Sequence, residues 1–296
     1  MKWKELEIST TYQAFAAITN LLDEFGIGSI FKEALSQESE DEILVKAYCD
    51  EDSFSSRKFA ELKKKITNLK EYDLDIGSGK LRVNELQEED WANNWKENFK
   101  PLKVTDKIVI KPTWEDYQAS ADEIIIEIDP GQAFGTGQHE TTTSCLEMIE
   151  KYLKPEMNCL DIGTGTGILA IAAAKLEAGA TVGIDISPVA ITAAQENAQL
   201  NQVADEIEFL EGDLVEVVDQ DYDLVIANIL PHIILDLIPD LKEVIKPDGK
   251  FILSGIVEEK LDRVKERLQE YQFKVEEVVQ KNEWVTIVGS QKIVDS

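Results

Sequence analysis

A glycine-rich turn between an apolar run and an alanine-rich segment constrains the fold of this chain more than any other feature. The turn is Asp161-Ile-Gly-Thr-Gly-Thr-Gly167, and it follows Asn158-Cys-Leu160. Glycines at 163, 165 and 167 allow a tight backbone turn and let a ligand approach without Cβ atoms in the way. N–H groups at the start of a helix suit an anionic or polar ligand. The segment therefore predicts a strand, a ligand-binding loop and a helix that begins at about Gly167.

Two kinds of ligand site and one purely structural role are compatible with this loop. The dinucleotide fingerprint G-x-G-x-x-G requires a glycine at position 168, where the chain has Ile168. The observed pattern, Asp-x-Gly-x-Gly-x-Gly, resembles the loop of S-adenosylmethionine-dependent methyltransferases of the doubly wound class. Asp161 can favour the ammonium of that cofactor directly or through water, and backbone N–H groups can bind its carboxylate. A glycine turn that serves only strand-to-helix packing stays as the alternative.

A second acidic residue strengthens the prediction of a nucleotide-type site. The short apolar run 180–186 contains Asp185, which follows Gly163 by 22 residues. An acid at this place in a doubly wound sheet accepts hydrogen bonds from ribose hydroxyls. Asp185 could instead cap the next helix, but Ser187 and Pro188 already match the N-cap and the first helical position.

Two more polar residues follow later strands of the same predicted sheet. Asp213 comes after the third strand, where it would reach the adenine amino group or cap the next element as a turn acid. Asn228 ends the fourth strand, and ligands of open α/β sheets bind outside those carboxyl ends. A neutral amide at that point can accept a hydrogen bond from a substrate N–H and aim the nitrogen lone pair at a methyl carbon. We therefore predict Asn228 as the catalytic residue.

Alternation of strands and helices predicts the architecture of the second half of the chain. Strands are expected near 157–161, 180–185, 206–210, 222–227, 249–254, 272–280 and 283–289, with helices between the first six. This order predicts an α/β fold with a doubly wound, seven-stranded sheet that ends in an antiparallel hairpin. Strands 107–111 and 123–128 precede it and lead into the polar loop 129–143. That loop includes Phe134 and opens a helix at Thr141, Thr142 and Thr143. Its polar composition suggests a lid or wall over the ligand. The alternative is that one of the threonines simply caps the helix.

The first 87 residues predict a separate small α+β domain. Strands are expected at 3–9, 29–34, 42–49, 72–76 and 81–86, with helices at 11–25 and 55–69. The order β-α-β-β-α-β, with 72–76 and 81–86 flanking one turn, is typical of a ferredoxin-like domain. Residues 88–100 predict a short helix in which Trp91, Trp95 and Phe99 form a stripe, either as core packing or as a linker between two domains. The expected division is therefore 1–87, 88–100 and 101–296.

Composition limits the partners and the compartment. The chain has 296 residues and a formal net charge of −28, which repels nucleic acid and anionic membranes and favours a basic protein partner. General solubility is the alternative explanation for this charge. Three scattered cysteines and two isolated histidines give no metal or disulfide spacing and suit a reducing cytosol. No apolar run approaches the ~20 residues that span a bilayer, so we expect a cytoplasmic protein.

Four segments together resemble the bacterial ribosomal protein L11 methyltransferase family, over nearly the whole chain. They are Phe134-Gly-Thr-Gly-Gln-His-Glu-Thr-Thr142, Leu160-Asp-Ile-Gly-Thr-Gly-Thr-Gly-Ile-Leu-Ala170, Gly183-Ile-Asp-Ile-Ser-Pro188 and Ala227-Asn-Ile-Leu230. The glycine loop is shared by many methyltransferases, whereas its combination with the Phe-Gly-Thr-Gly loop and Asn-Ile-Leu is more specific. Glu140 departs from the family, which commonly has proline there. Asn-Ile-Leu-Pro also lacks the aromatic residue of the tetrad in amine and amide methyltransferases, which leaves an aliphatic amine as the acceptor.

This resemblance implies an N-terminal substrate-recognition domain, a linker and a catalytic domain. It implies methylation of the α-amino group and lysine ε-amino groups of ribosomal protein L11, with S-adenosylmethionine as the cofactor. Contacts to the cofactor carry over to Thr142, Gly163, Asp185 and Asn228; we add Asp161, Gly165, Asp213 and Phe134 from the loops described above. We expect no metal and a monomer. A methyltransferase of another basic protein, a nicotinamide-dependent oxidoreductase and a non-catalytic cofactor-binding protein remain as alternatives.

Overall fold

The computed structural model describes residues 2–25, 27–34, 42–50, 55–72, 74–87, 99–129 and 137–292. The chain divides into two compact units, Met1–Phe99 and Lys100–Ser296. The linker helix predicted for residues 88–100 lies outside the described residues, apart from Phe99 and Lys100. Within the described ranges, none of the helices combines the length and apolar character that crossing a membrane requires.

The first unit is a four-stranded sheet with two helices packed on it. Its elements are β1 Lys2–Thr11, α1 Tyr12–Glu24, β2 Gly28–Ala34, β3 Glu42–Asp50, α2 Ser56–Asn68 and β4 Lys80–Gln87. The strand order is β2-β3-β1-β4 and all neighbours are antiparallel. This is the arrangement that the β-α-β-β-α-β order predicts. Leu6, Ile8, Val45, Ile18 and Leu62 join strands and helices in one core.

The strand predicted for residues 72–76 is wrong. A 3-10 helix, Leu69–Tyr72, continues α2 instead. Side chains of the first strand and helix then hold the backbone at Asp75: its carbonyl accepts from the Thr11 hydroxyl, and its N–H donates to Gln13 Oε1 at 2.9 Å. The Asp75 carboxylate also accepts from the N–H of Gly77 at 2.8 Å. The backbone N–H and carbonyl of Asp75 thus form hydrogen bonds with side chains rather than with a neighbouring strand.

The second unit begins with a small three-stranded sheet. Its strands are β5 Leu102–Lys103, β6 Ile108–Pro112 and β7 Ile124–Ile128, in the order β5-β6-β7. The pair β6–β7 is parallel, and β7 forms an edge of this sheet.

The seven-stranded sheet predicted for the rest of the unit is confirmed. Its strands are β8 Cys159–Ile162, β9 Thr181–Asp185, β10 Ile207–Glu211, β11 Tyr222–Asn228, β12 Ile245–Val257, β13 Phe273–Lys281 and β14 Trp284–Gln291. The order is β10-β9-β8-β11-β12-β14-β13. The first five are parallel, and β14 runs antiparallel to both β12 and β13.

Helices cover both faces of this sheet. They are α3 Glu140–Tyr152, α4 Ile168–Lys175, α5 Pro188–Leu200, α6 Pro231–Leu237, α7 Leu241–Val244 and α8 Leu261–Glu270. Successive residues of β11 alternate between the two cores, with Leu224 and Ile226 in one and Val225 and Ala227 in the other. A strand that is buried on both faces has apolar side chains on both sides, which explains the continuous apolar run in the sequence.

The helix predicted between β10 and β11 is absent. Residues 212–221 form turns, in which Glu216 N–H donates to the Asp213 carbonyl at 3.2 Å and Val218 N–H donates to the Val215 carbonyl at 3.2 Å. Leu214 has a φ of +48°, outside the helical range. A connection of ten residues with acids and a glycine is also too short for both a helix and its two turns.

Candidate functional site

The glycine loop joins β8 to α4 at the carboxyl edge of the seven-stranded sheet. Gly163, Gly165 and Gly167 have φ values of +72°, +54° and +80°, in the left-handed region that favours glycine. Gly167 is the N-cap of α4, and no side chain caps that helix. The helix itself is apolar and buried, so it fixes the loop firmly against the sheet.

Hydrogen bonds within the sheet edge fix the path of this loop. The N–H groups of Gly163 and Thr164 both donate to the Ile184 carbonyl at 2.8 Å. The N–H of Gly165 donates to Asp185 Oδ2 at 2.9 Å. The loop that follows β8 is therefore tied to the end of the neighbouring strand β9.

Asp161 lies beneath the loop and is fully buried. Its Oδ2 accepts from the Thr164 hydroxyl at 2.7 Å, whereas Oδ1 has no hydrogen-bond partner among the described residues. Burial raises the pKa of Asp161 from 3.8 to about 7; the Thr164 hydroxyl and the nearby Ala170 amide oppose this rise, and the charge of Asp185 adds to it. A carboxyl with no exposed surface influences a ligand through the loop above it rather than by direct contact.

Asp185 ends β9 and uses both carboxylate oxygens to organise the backbone. Oδ2 accepts from Gly165, and Oδ1 accepts from the N–H of Ser187 at 2.9 Å. The predicted helix start is confirmed: Ser187 is the N-cap of α5, and Pro188 is its first residue. Each carboxylate oxygen keeps a further lone pair for a ligand hydroxyl, since a carboxylate offers about four acceptor positions. Asp185 is thus not the cap of α5.

Asn228 ends β11, at the same edge, and the residue after it is held by two glycines. A Cβ on Gly163 would lie 2.4 Å from Ile229 Cγ2, and one on Gly255 would lie 2.3 Å from the Ile229 carbonyl oxygen. Gly255 has a φ of +85°. Ile229 N–H donates to the Ser254 carbonyl at 3.3 Å. The close fit of Ile229 between the glycine loop and β12 sets the position of Asn228.

The first turn of α3 brings its threonines to this edge. Thr142 is buried, and its hydroxyl accepts from Asn228 Nδ2 at 3.4 Å. The N-cap is His139, whose Nδ1 accepts from the N–H of Thr141 at 3.3 Å, so none of the three threonines caps the helix. The His139 ring also packs edge-on against Trp284, with 4.9 Å between centroids.

Among the described residues, none donates a hydrogen bond to Asn228 Oδ1. The amide NH₂ is held by Thr142, so the carbonyl oxygen remains able to accept from a ligand N–H. Ser254 lies next to it on β12, and its hydroxyl shares a 2.7 Å hydrogen bond with the Thr286 hydroxyl of β14. Asn228 is therefore a half-buried acceptor at the carboxyl edge of the sheet.

The structure brings most of the predicted residues to one edge of one sheet. Asp161, Gly163, Gly165, Asp185, Thr142 and Asn228 all lie at the carboxyl ends of β8, β9 and β11 or at the start of α3. Asp213 is exposed in the turns after β10, where its backbone carbonyl accepts from Glu216. Phe134 lies outside the described residues.

Two residues near this edge escaped the sequence reasoning. Ile186, directly after Asp185, exposes 68% of its surface, which is unusual for a large apolar side chain. The sequence feature that could have identified Ile186 is an apolar residue between the end of a strand and the N-cap of the next helix. Thr164 was missed because its hydrogen bond to Asp161 is a feature of the folded loop that the sequence pattern does not specify. No group of three or more potential metal-ligating side chains occurs in the described part of the chain.

Comparison with known proteins gives a consistent result. The family described as "Ribosomal protein L11 methyltransferase" matches residues 2–292. A protein of that name from Geobacillus thermodenitrificans is 41% identical over 309 aligned positions, which cover 98% of this chain and 99% of the relative. One from Clostridium perfringens is 46% identical over 249 positions, covering 84% of this chain and 79% of the relative. The crystal structure of a ribosomal protein L11 methylase from Lactobacillus delbrueckii subsp. bulgaricus superposes with a TM-score of 0.63 at 39% identity, covering 66% of this chain and all of that one.

Proposed function

The chain belongs to the ribosomal protein L11 methyltransferase family, and on this basis we propose that it transfers methyl groups from S-adenosylmethionine to ribosomal protein L11. The acceptors are the α-amino group and lysine ε-amino groups of that protein. The observation that carries the chemistry is the Asn228–Thr142 contact beside the glycine loop. It leaves Asn228 Oδ1 without a donor among the described residues, on a residue at the edge where such a sheet binds its ligand.

The groups at this edge fit S-adenosylmethionine. Asp185 has spare lone pairs for the ribose hydroxyls, and Ile186 offers an exposed apolar surface for the adenine ring. Asp213, on the neighbouring turn, is assigned to the adenine amino group. The backbone of Gly163 and Gly165, which no Cβ obstructs, receives the methionine portion, with Asp161 acting from below. Phe134 completes this set of assigned contacts as a wall of the site.

S-adenosylmethionine supplies a methyl group on a positively charged sulfur, so the leaving group is already activated. The protein then mainly has to supply position and desolvation. Thr142 holds the Asn228 amide in one orientation, and Asn228 Oδ1 accepts an N–H of the incoming amine. This contact aims the nitrogen lone pair along the line of attack.

The amine must be unprotonated before it can attack. A lysine amine has a reference pKa of about 10.4. Desolvation at the sheet edge lowers the pKa of an amine because burial disfavours its charged form. We infer that the proton leaves to water and that no side chain of the site acts as a general base.

The remaining assignments follow from the substrate. Residues 1–87 recognise the ribosomal protein, residues 88–100 link the two parts, and residues 101–296 carry the catalytic site. The enzyme works as a monomer in the cytoplasm, where ribosomal proteins are made, and reads no nucleic acid directly. The net charge of −28 supports a basic protein substrate.

Transfer of a labelled methyl group tests this function. Purified L11 is incubated with the enzyme and tritiated S-adenosylmethionine, and mass spectrometry then locates the modified amines. We expect label on L11, at its N-terminus and at lysines, and none on a second basic protein at the same concentration. Label on the second protein alone would assign another substrate. Calorimetry that detects NADH binding but no S-adenosylmethionine binding would contradict the methyltransferase assignment.

A further inference from the structure

Two buried asparagines, Asn197 on α5 and Asn201 at the C-cap of that helix, hold the free edge of β7. Asn197 and Asn201 are only 2% and 5% exposed. The N–H of Asp129 donates to Asn197 Oδ1 at 2.9 Å, and Asn197 Nδ2 donates to the Asp129 carbonyl at 3.2 Å. Asn201 makes the same pair of contacts with Glu127, whose N–H donates to Oδ1 at 2.9 Å. Each side-chain amide therefore replaces one peptide group of a missing neighbouring strand.

The spacing of the two elements explains this match. Residues four apart on a helix lie about 6 Å from each other, and residues two apart on a strand lie about 6.6–6.8 Å from each other. The amides of Asn197 and Asn201 therefore reach residues two apart, namely Asp129, directly after β7, and Glu127 within it. A side-chain amide carries both the donor and the acceptor of a peptide group, in the same planar geometry.

Asn197 makes one contact that Asn201 does not. Its Nδ2 also donates to the Thr166 carbonyl of the glycine loop at 3.0 Å. The second contact of Asn201 Nδ2 goes instead to the Asn197 carbonyl, within α5. The two asparagines are therefore alike in burial and in their strand contacts, and they differ in their contact with the loop.

The Thr166 carbonyl belongs to a critical peptide of that loop. The same peptide contains the N–H of Gly167, which donates to the Thr164 carbonyl at 2.8 Å, and Gly167 begins α4. Thr166 is fully buried, so its carbonyl cannot turn to water. Without Asn197 this buried acceptor would lose the hydrogen bond from Nδ2, and rotation of the peptide would relieve that loss. Rotation would also displace Gly165, which lies just before Thr166 in the proposed methionine subsite.

We propose that Asn197 is a positioning residue for S-adenosylmethionine. It fixes the peptide between Thr166 and Gly167 and so keeps the glycine loop in its cofactor-binding shape. Asn201 stabilises the fold without this effect. The inference rests on the proposed function, because it places the cofactor against the glycine loop.

The matched variants Asn197→Asp and Asn201→Asp test this role. Each keeps the shape and the acceptor, removes the donor, and adds one buried negative charge. Unfolding temperature and the Kd values for S-adenosylmethionine and S-adenosylhomocysteine are measured for both variants and for the wild type. We expect both variants to lose a similar amount of thermal stability. Only Asn197→Asp should bind the two ligands about tenfold more weakly, the size expected when a buried hydrogen bond is lost.

Steady-state kinetics provide a second readout. For Asn197→Asp the KM for S-adenosylmethionine should rise while kcat at saturating cofactor stays within about twofold of wild type, since the loss lies in binding. Equal Kd values for the two variants would overturn the proposal. If Asn197→Asp does not fold, the pair Asn197→Ser and Asn201→Ser is read in the same way. A wild-type protein that binds no S-adenosylmethionine would instead overturn the proposed function, and this inference with it.

Discussion

Asn228 and Thr142 come from elements 86 residues apart in the chain, yet their side chains meet at one hydrogen bond. Replacing Asn228 by alanine removes the acceptor that aims the amine. We expect kcat for L11 methylation to fall about 10²-fold, as misplacement of a reacting group by ~1 Å can do. Because Asp185 and the glycine loop remain, the Kd for S-adenosylmethionine should change far less. Single-turnover kinetics and calorimetry measure the two effects.

Thr142→Val is the matched control for that change. Valine keeps the shape of threonine but cannot hold the Asn228 amide, so kcat should fall less than in Asn228→Ala. Unchanged turnover of Asn228→Ala with cofactor bound would show that Asn228 has no aiming role.

Asp161 makes the stability of the protein depend on pH in an unusual direction. The folded-state pKa of about 7 exceeds the ordinary value of 3.8, because burial disfavours the charged form. Between these two values the folded protein holds a proton that unfolding releases. The contribution of Asp161 to stability is therefore complete below pH 4 and is lost as the pH rises to about 7, by at most ~1.4 kcal/mol per pH unit. Asp161→Asn should lack this loss, so its stability relative to wild type should rise between pH 4 and pH 8.

Urea unfolding of both proteins across this range measures the effect. Asp223→Asn is a control of opposite sign. Partial burial raises the pKa of Asp223, but hydrogen bonds from Lys246 and the Asn158 amide outweigh that effect and hold the pKa below its usual value. This variant should be less stable than wild type at neutral pH and converge with it in acid. A pH-independent difference between Asp161→Asn and wild type would contradict the assignment.

The sequence predicted single residues well where strand position determines their role. Asn228 and Asp185 each end an apolar run, and strand ends of a parallel sheet meet at one edge. Asn197 and Asn201 could not be assigned, because their partners are backbone groups 68 and 74 residues away. The available signal was a pair of polar residues, four apart, on the buried face of an alanine-rich helix. Such a pair identifies a buried contact but not its partner.

The loop after β8 and the irregular part of β12 at Gly255 constrain each other through Ile229. Gly255→Ala would introduce a left-handed alanine and a contact of 2.3 Å with the Ile229 carbonyl oxygen. The backbone carbonyl cannot yield as a flexible side chain can, so Ile229 and the preceding Asn228 must move. We expect a loss of ~1–3 kcal/mol in unfolding free energy together with a large fall in methyl transfer. Urea unfolding and the methyl-transfer assay measure the two effects.

Gly77→Ala is the control that separates the effect of backbone strain from the effect of moving Asn228. Gly77 also has a left-handed φ, +56°, but it lies in the first unit, and an added Cβ would be 3.2 Å from the Thr11 methyl group. This variant should lose ~1–2 kcal/mol through strain alone and keep the kcat of the wild type. A Gly255→Ala protein with wild-type kcat would show that the contact with Ile229 does not position Asn228.

Elements with a strong apolar period were predicted more accurately than those fixed by polar contacts. All seven strands of the large sheet lie within a few residues of the predicted ranges, apart from the earlier start of β12 at Ile245. The segment 72–76 resembled a strand in sequence, but Thr11 and Gln13 satisfy the backbone of Asp75 from another element. Residues 212–221 form turns where the alternating order of a doubly wound fold led us to expect a helix. In both cases tertiary contacts or chain length outweighed the local pattern.

The distribution of charge over the whole molecule connects the fold with its proposed partner. Between Lys175 and Lys242 the chain has 14 acidic residues and neither lysine nor arginine. This stretch includes β9, α5, β10, β11 and α6, so it surrounds the ends of the strands that carry Asp185 and Asn228. Several of its acids are exposed, including Asp205, Glu208 and Glu211. A field of one sign near the site raises the local concentration of an oppositely charged substrate.

Ionic strength should therefore affect the protein substrate and the cofactor differently. Raising the salt concentration from about 0.05 M to about 0.5 M shortens the Debye length from roughly 14 Å to roughly 4 Å, so attraction between exposed charges weakens strongly. We expect KM for L11 to rise severalfold over this range. In contrast, kcat and the Kd for S-adenosylmethionine should change little, because the cofactor carries a small net charge and binds by close contacts. A short peptide from the N-terminus of L11 is the control, and its KM should depend less on salt because it carries fewer charges. If KM for L11 were independent of salt, the acidic surface would serve solubility rather than substrate capture.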